Sequence, residues 1–481
     1  MALLLIVGGI LVVLSIVYVT INMVWYKIDV DRFRGARKAY SASTPPPSVS
    51  LPKLQTTLPQ YKNTLPPLRG EFLPRAPQDG FGMAFRNNLV TEEQVLNSIL
   101  PLTTNYLTCK QAKYTTTGFS VADLKALGSF PNYSALSSVP LPQPYLEFDI
   151  NKALPRPYRP FRWNYHQTMS LTKMEPNWWL ELENTYKDRV AERMELHKKY
   201  GKTVLDYLPG SELACKELME MCIQFLCARY PQYFSLSDDK RHFSNGILDR
   251  VEDLETVNPI DVLMANVPED FAIMLRDDQT GNYYLRAGAT CSSLGWNLGT
   301  KIGLELHDIH RPIPDYKEKM QFSMGRMPAD KPIQRGSWGL EVGKPLFMPP
   351  GNVHELHRLS QNQSLKESDC YLRVDWQTLR RLPLSGAIVF NFKAVFTPIS
   401  EFRDEPGIPA LLAKILKEGK KSIMEYKNTW HVEHVCIPAF ERWAKEQEES
   451  GVVEKGWEVS TLKESPYFKG WEEKWHAQQG F

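Results

Sequence analysis

The chain has 481 residues, 43% of them hydrophobic, and its 57 Lys+Arg against 55 Asp+Glu leave a net charge of +2. That composition is ample for a packed core, and with no Lys/Arg stripe interleaved with aromatics it excludes the electrostatic footprint of a nucleic-acid binder. Seven scattered cysteines (Cys109, Cys215, Cys222, Cys227, Cys291, Cys370, Cys436) form no CxxC pair, which excludes a disulfide scaffold and fits a reducing compartment.

Residues 2–26 carry no charged side chain. As a helix rising about 1.5 Å per residue they span roughly 37 Å, more than the roughly 30 Å of a bilayer's hydrocarbon core, so a single transmembrane helix over 1–27 is predicted. A cleaved signal peptide fits less well, because the segment lacks a basic leader and a small-x-small cleavage site. Lys27, Arg32, Arg34, Arg37 and Lys38 follow it, which by the positive-inside rule places the soluble part in the cytosol, the endoplasmic reticulum being the expected membrane. The basic flank and the linker over 28–80, with prolines at 45, 46, 47, 52, 59, 66, 67, 74 and 77, predict an extended spacer.

From residue 81 the pattern is that of a large mixed domain. Apolar periodicity predicts helices over 177–200, stopped at Gly201, and over 211–230, begun on a Ser211 cap and halted before Pro231. Residues 271–276 and 283–289 flank the turn sequence Asp277-Asp278-Gln-Thr-Gly281 and predict a hairpin, with further strands over 163–171, 371–376 and 387–396. Helices return over 408–419 and 435–449. Strands arranged as hairpins, with helices gathered before and after them, predict an α+β fold on an antiparallel sheet. The divisions are an anchor (1–27), a linker (28–80), an N-terminal extension (81–154), the α+β domain (155–400) and a C-terminal helical segment (401–481).

Catalytic signatures are mostly negative: no GxGxxG after a strand, no P-loop, no HExxH, no GxSxG and no CxxCH. Three histidine pairs remain, His307 with His310, His354 with His357 and His431 with His434. Neutral imidazole is the commonest metal ligand, and the first pair ends an apolar run that Pro312 and Pro314 stiffen. An isolated pair at helical spacing is equally compatible with capped, hydrogen-bonded histidines, and spacing alone does not say which pairs converge.

Three blocks resemble the family of haem-dependent oxidative N-demethylase-like proteins, whose fungal members are called HRQ proteins. The first is Arg159-Pro-Phe161-Arg162-Trp163 with Met169-Ser-Leu, Trp179-Leu-Glu and residues 186–192; the second runs from Trp296 through Gly303 to His310-Arg-Pro312-Ile-Pro314, with Arg335-Gly-Ser-Trp338 after it. The third is Leu372-Arg373-Val-Asp375-Trp376-Gln377-Thr378-Leu379-Arg380-Arg381-Leu382-Pro383, followed by Ser385-Gly386-Ala-Ile-Val-Phe390.

The resemblance implies a PAS-like domain over 155–400 holding a non-covalent haem b, with electrons from a separate flavin-type reductase, since this chain shows no flavin or nicotinamide motif. It implies His310 as the iron ligand, with His307 the alternative, and Arg335, Trp338, Arg380 and Arg381 as residues that hold the cofactor. Asp375, Arg373 and Gln377 fall in the catalytic block. Asp375 and Trp376 replace the family's usual Glu-Arg, and Ser337 its usual Asn, which implies a larger or more apolar substrate than a small amine. The expected protein is a membrane-anchored haem oxidoreductase, monooxygenase- or oxidative N-demethylase-like, acting on a small organic substrate in secondary metabolism. Two other classes stand beside it: a non-catalytic haem sensor or carrier, and a non-haem metal hydrolase using the histidine pairs.

Overall fold

The computed structural model describes residues 115–165, 170–277, 282–311, 313, 327–349 and 352–481. The predicted membrane-spanning helix over 1–27 and the linker over 28–80 lie outside them, as does the first part of the extension. No helix among the described residues is long and apolar enough to cross a membrane.

In chain order the elements begin with two short capped helices, α1 (Val121–Leu127) and α2 (Tyr133–Ser137), then β1 (Thr172–Lys173), α3 (Tyr186–Tyr200), β2 (Leu205–Tyr207) and α4 (Glu212–Arg229). A small three-stranded sheet follows, β3 (Phe234–Leu236), β4 (His242–Asn245) and β5 (Arg250–Asp253), and then α5 (Pro259–Asn266). The main sheet takes β6 (Asp270–Arg276), β7 (Tyr283–Ala289), β8 (Ile333–Val342), β9 (Cys370–Arg381) and β10 (Ile388–Pro398), with α6 (Leu306–His310) and α7 (Val353–His357) between strands. Helices α8 (Ile408–Glu418), α9 (Lys421–Lys427), α10 (Trp430–Glu449) and α11 (Trp471–Gln479) close the chain.

The main sheet has seven strands in the order β1-β8-β9-β10-β6-β7-β2, every described pairing antiparallel. Sheet and surrounding helices make the α+β class expected from the sequence. The hairpin of β6 and β7 lies where it was predicted, and β9 and β10 outrun their predicted bounds.

Two expectations change. Beyond a short 3-10 turn at Pro176–Trp178, the stretch 179–185 is not helical, and α3 starts only at Tyr186. Its amides serve tertiary acceptors instead: Glu181 N–H donates to Glu269 Oε1, Leu182 N–H to the Tyr230 hydroxyl and Asn184 N–H to Ala153 O. Nor do the described residues of 163–171 form a strand, because both backbone groups of Trp163 bond the Thr461 hydroxyl rather than a ladder partner. A smaller change concerns α4, whose Ser211 precedes it without a side-chain cap; that hydroxyl donates back to Leu208 O.

Period-two alternation gives β9 two faces. Leu372, Val374 and Trp376 pack with Trp338 and Leu340 of β8 against Phe402, Ile408, Leu412, Ile415 and Phe440 from the last third of the chain. Farther across the same face, Phe271, Ile273 and Val389 meet α4 through Leu218 and Cys222. Each such fully buried side chain contributes about 1.5–3 kcal/mol relative to exposure. We call this the closed face. The C-terminal end is fastened to it by long-range bonds: Trp475 Nε1 donates to Leu154 O at 2.8 Å and Arg156 to the Tyr467 hydroxyl at 2.9 Å.

The turn from β9 to β10 requires glycine. Gly386 has φ +73°, and a Cβ there would overlap the Thr116 and Thr117 side chains. Glu217 of α4 accepts the Leu384 and Ser385 amides at 2.5 and 2.8 Å, so one buried carboxylate holds the turn against the helix layer.

Candidate functional site

The other face of the central strands is polar and only partly covered. Register places Arg335 of β8 opposite Gln377 of β9, which lies opposite Phe392 of β10; Ser337, Asp375 and Ala394 form the next row. Directly paired residues share a face, so these rows form one floor. Arg335, Ser337, Asp375, Gln377, Phe390 and Phe392 are all partly buried, unlike their closed-face neighbours. Trp296 meets the Phe392 ring at 6.3 Å between centroids.

Helix α6 lies across this floor. Its Leu306 is buried with Met274, Leu285, Leu379 and Ile388, Ile309 packs against the same group, and Glu305 bridges to Tyr284 of β7. His310 thereby stands in the last turn, where its Nδ1–H donates to Leu306 O at 2.8 Å. With Nδ1 protonated, Nε2 is the basic nitrogen. Burial pushes the His310 pKa down, and the charges of Arg335 and Lys301 and the His307 ring push the same way, although the bond to Leu306 opposes them. The ring is held neutral near pH 7, the form a metal ion takes.

The structure thus gathers His310, Arg335, Asp375 and Gln377 on one face, with His307 one turn back on α6. Arg373 and Arg381 share this face by parity but are held by main-chain carbonyls. Arg373 donates to Pro345 O at 2.6 Å, to Ser292 O, and to Asp375 Oδ1 at 2.9 Å, which ties two loops to the sheet and orients the Asp375 carboxylate. Arg381 donates to Met327 O and Gly386 O at 2.6 and 2.9 Å. Arg380 and Trp338 face the other way. Arg380 stacks over Trp179 at 4.1 Å, and Trp338 packs edge-on to Phe161 within the closed-face core.

Sequence reasoning missed Lys427, the last residue of α9. Its ammonium donates to Trp338 O of β8, and it lies over the Trp338 ring at 4.3 Å. Burial pulls its pKa down to about 7; Arg335 adds to the shift and Asp375 opposes it, so the lysine senses the floor of the site. No motif marks it, because it reaches the site only through the packing of α9. The remaining histidine pairs stand elsewhere: His354 and His357 face each other at 5.7 Å, the buried His431 bonds Asn428 O and His434 bonds Asn362 O. Among the described residues no three His, Cys, Asp or Glu side chains converge on a point that could hold a metal ion. The metal-hydrolase reading therefore has no ligand set there.

A face with one neutral imidazole, a guanidinium nearby, a positioned carboxylate and an aromatic floor suits a ligand that is flat, apolar and acidic at its rim, joined to the protein through one nitrogen. Comparison with known families gives a match over residues 170–437, more than half of the chain, to the family described as haem-dependent oxidative N-demethylase, alpha subunit-like.

Proposed function

Because the chain belongs to the haem-dependent oxidative N-demethylase, alpha subunit-like family, we propose that it is a haem-dependent oxidoreductase whose cofactor, haem b, lies on the open face of the sheet, in a PAS-like domain. The carrying observation is His310, oriented by its bond to Leu306 O and kept neutral by burial above the floor of Arg335, Asp375 and Gln377.

Haem, when bound, would supply iron chemistry able to use dioxygen, two electrons and two protons to oxidise a C–H bond beside nitrogen and release water. The protein's residues do the rest. His310 Nε2 would be the iron ligand, and the Nδ1–H bond would keep the ring from turning. Arg335 offers a planar fork to a propionate carboxylate. Asp375, held by Arg373, accepts a proton or pairs with an ammonium group on the substrate; Gln377 in the next row orients it by hydrogen bonding. Phe390, Phe392 and Trp296 exclude water from the floor. Lys427, with its depressed pKa, is suited to pass protons to the Asp375 side.

Electrons come from a separate flavin-type reductase. The uncharged stretch 2–26 with the basic flank after it supports anchoring to a membrane, the endoplasmic reticulum, with the soluble part in the cytosol. Asp375 in place of the longer Glu supports a larger substrate than a small amine, of the kind secondary metabolism supplies; Trp376 is turned into the closed-face core and does not reach this site.

The test is the absorption spectrum of the full-length protein reconstituted with haem in detergent. The wild type should show an imidazole-ligated Soret band, and His310→Ala should lose that ligation and bind haem at least tenfold more weakly. A wild type that takes up no haem ends the proposal. Identical spectra for the two proteins would move the ligand role to His307, tested in turn by His307→Ala, and stable haem without substrate oxidation would favour a sensor or carrier.

A further inference from the structure

On the closed face, beyond the apolar core, Arg380 is 7% exposed and Trp179 is 1% exposed. The guanidinium is stacked on the indole at 4.1 Å, yet among the described residues no side-chain hydrogen bond reaches it, and its Nε and the Trp179 Nε1 are both buried without a partner. Among the described residues no carboxylate sits close enough to offset its charge; its titratable neighbour is the Cys222 thiol, and burial pulls the arginine down to about 10. A buried, uncompensated cation costs several kcal/mol, and a chain of this composition has many apolar residues that could fill the position instead.

Both groups line a cavity between α2, α4 and the loop over 139–142. Its volume is about 30 Å³, room for two or three waters or for the carboxylate end of a small ligand. Val139, Pro140, Leu141, Pro142, Pro176 and Phe225 make the apolar part of its wall, beside the polar Ser134, Ser137 and Gln224. Leu141 is 46% exposed and Ser134 partly so, which puts the mouth at the surface.

We propose that this cavity is a binding site for a small monocarboxylate, its carboxylate paired with the Arg380 guanidinium beside the Trp179 N–H and its short hydrocarbon tail between the prolines and Phe225. A carboxylate matches the fork of the guanidinium bidentately, and the apolar walls select a tail over a bare inorganic anion. The site lies across the sheet from His310. Arg380 and Arg381 are adjacent residues of β9 pointing to opposite faces, so the cavity is separate from the open-face site and does not depend on that site's being a haem site.

The test uses the full-length protein and sodium butyrate as the probe, with butyramide and ionic-strength-matched sodium chloride as controls. Butyrate at tens of millimolar should raise the wild-type melting temperature by on the order of 1–3 °C and quench Trp179 emission. Butyramide and chloride should do neither. Arg380→Met should abolish the response and, without ligand, melt no lower than the wild type, because it removes an unpaired buried charge. Ser134→Trp, which obstructs the mouth and leaves the arginine in place, should also abolish it, and it decides the matter if Arg380→Met does not fold. Failure of butyrate to act on the wild type overturns the proposal. So does an equal response to butyramide or chloride, a response kept in either variant, or a large destabilisation of a folded Arg380→Met protein. None of these outcomes bears on haem uptake, which the spectrum of His310→Ala reports separately.

Discussion

The two faces of the central sheet are made by the same three strands, yet they are finished differently. On the closed face Leu372, Val374 and Trp376 are buried under the last third of the chain, and next to them Arg159 holds Glu405 through two bonds of 2.7 Å, with both side chains at most 3% exposed; Arg380, farther along the same face, is the unmatched exception. On the open face the rows Arg335–Gln377 and Ser337–Asp375 stay partly exposed, and the Arg373–Asp375 pair leaves its carboxylate a third open. Where no apolar layer covers a sheet, its side chains are available for chemistry. Burial under the C-terminal helices marks the face that holds the fold; incomplete burial marks the face that works.

The largest expected effect is on the closed face. Glu405→Gln leaves the Arg159 guanidinium buried against a neutral partner and should cost about 3–5 kcal/mol in urea unfolding. Phe440→Ala, which empties a fully buried position, should cost a similar 3–5 kcal/mol. A loss below about 1 kcal/mol for either would mean that the helical layer is only loosely joined to the sheet, and the contrast between faces would fail.

Next is a buried acid on the closed side. Glu269 is fully buried and pushed up to about 7, chiefly by desolvation, while Lys393, Arg193 and the bond from the Glu181 amide pull it back. The folded protein therefore holds a proton that the unfolded chain, titrating near 4.3, has already lost. With more protons bound in the native state, stability falls as pH rises from about 4.3 to about 7, by on the order of 3 kcal/mol in all. Glu269→Gln cannot ionise and should flatten that slope, measured as urea midpoints at pH 5 and 8. An unchanged slope would place the acid in contact with water.

Much of this division was legible in the sequence, and its errors have physical causes. Helix α4, helix α8 and the β6–β7 hairpin follow local periodicity, so short windows reveal them. The stretch 177–185 has helical periodicity too, but its amides are claimed by Glu269, Tyr230 and Ala153. Partners as far as 88 residues away in the chain cannot be read locally. The C-terminal tail is opaque for the same reason: its tryptophans matter only where they meet residues 154–178. His310 and Asp375 came from resemblance rather than pattern. Within the block that the resemblance ties to the cofactor, strand parity separates the two arginines: Arg380 is in phase with Leu372, Val374 and Trp376, and Arg381 with Arg373, Asp375 and Gln377. Lys427 left no local signal.

The turn that joins the two central strands gives an intermediate effect. Gly386→Ala places a Cβ at φ +73° against Thr116 and Thr117, and should cost about 1–3 kcal/mol. It should also loosen the haem spectrum only slightly, since the turn is anchored to α4 through Glu217 and lies at the far end of β9 from Arg373.

The smallest stability effect is expected where the functional effect is largest. Asp375 is a third exposed, and Arg373 keeps its bonds to Pro345 O and Ser292 O when the carboxylate is neutralised. Asp375→Asn retains an acceptor oxygen for the guanidinium, so unfolding should shift by less than about 1 kcal/mol. It nevertheless removes the negative charge that opposes the depression of Lys427, so the lysine pKa should fall further, which lysine NMR titration would detect. If the open face is the working one, the variant should fold and take up haem like the wild type while its turnover falls at least tenfold. A variant that instead unfolds as readily as Glu405→Gln would assign Asp375 to the frame and leave the partly exposed floor without its acid.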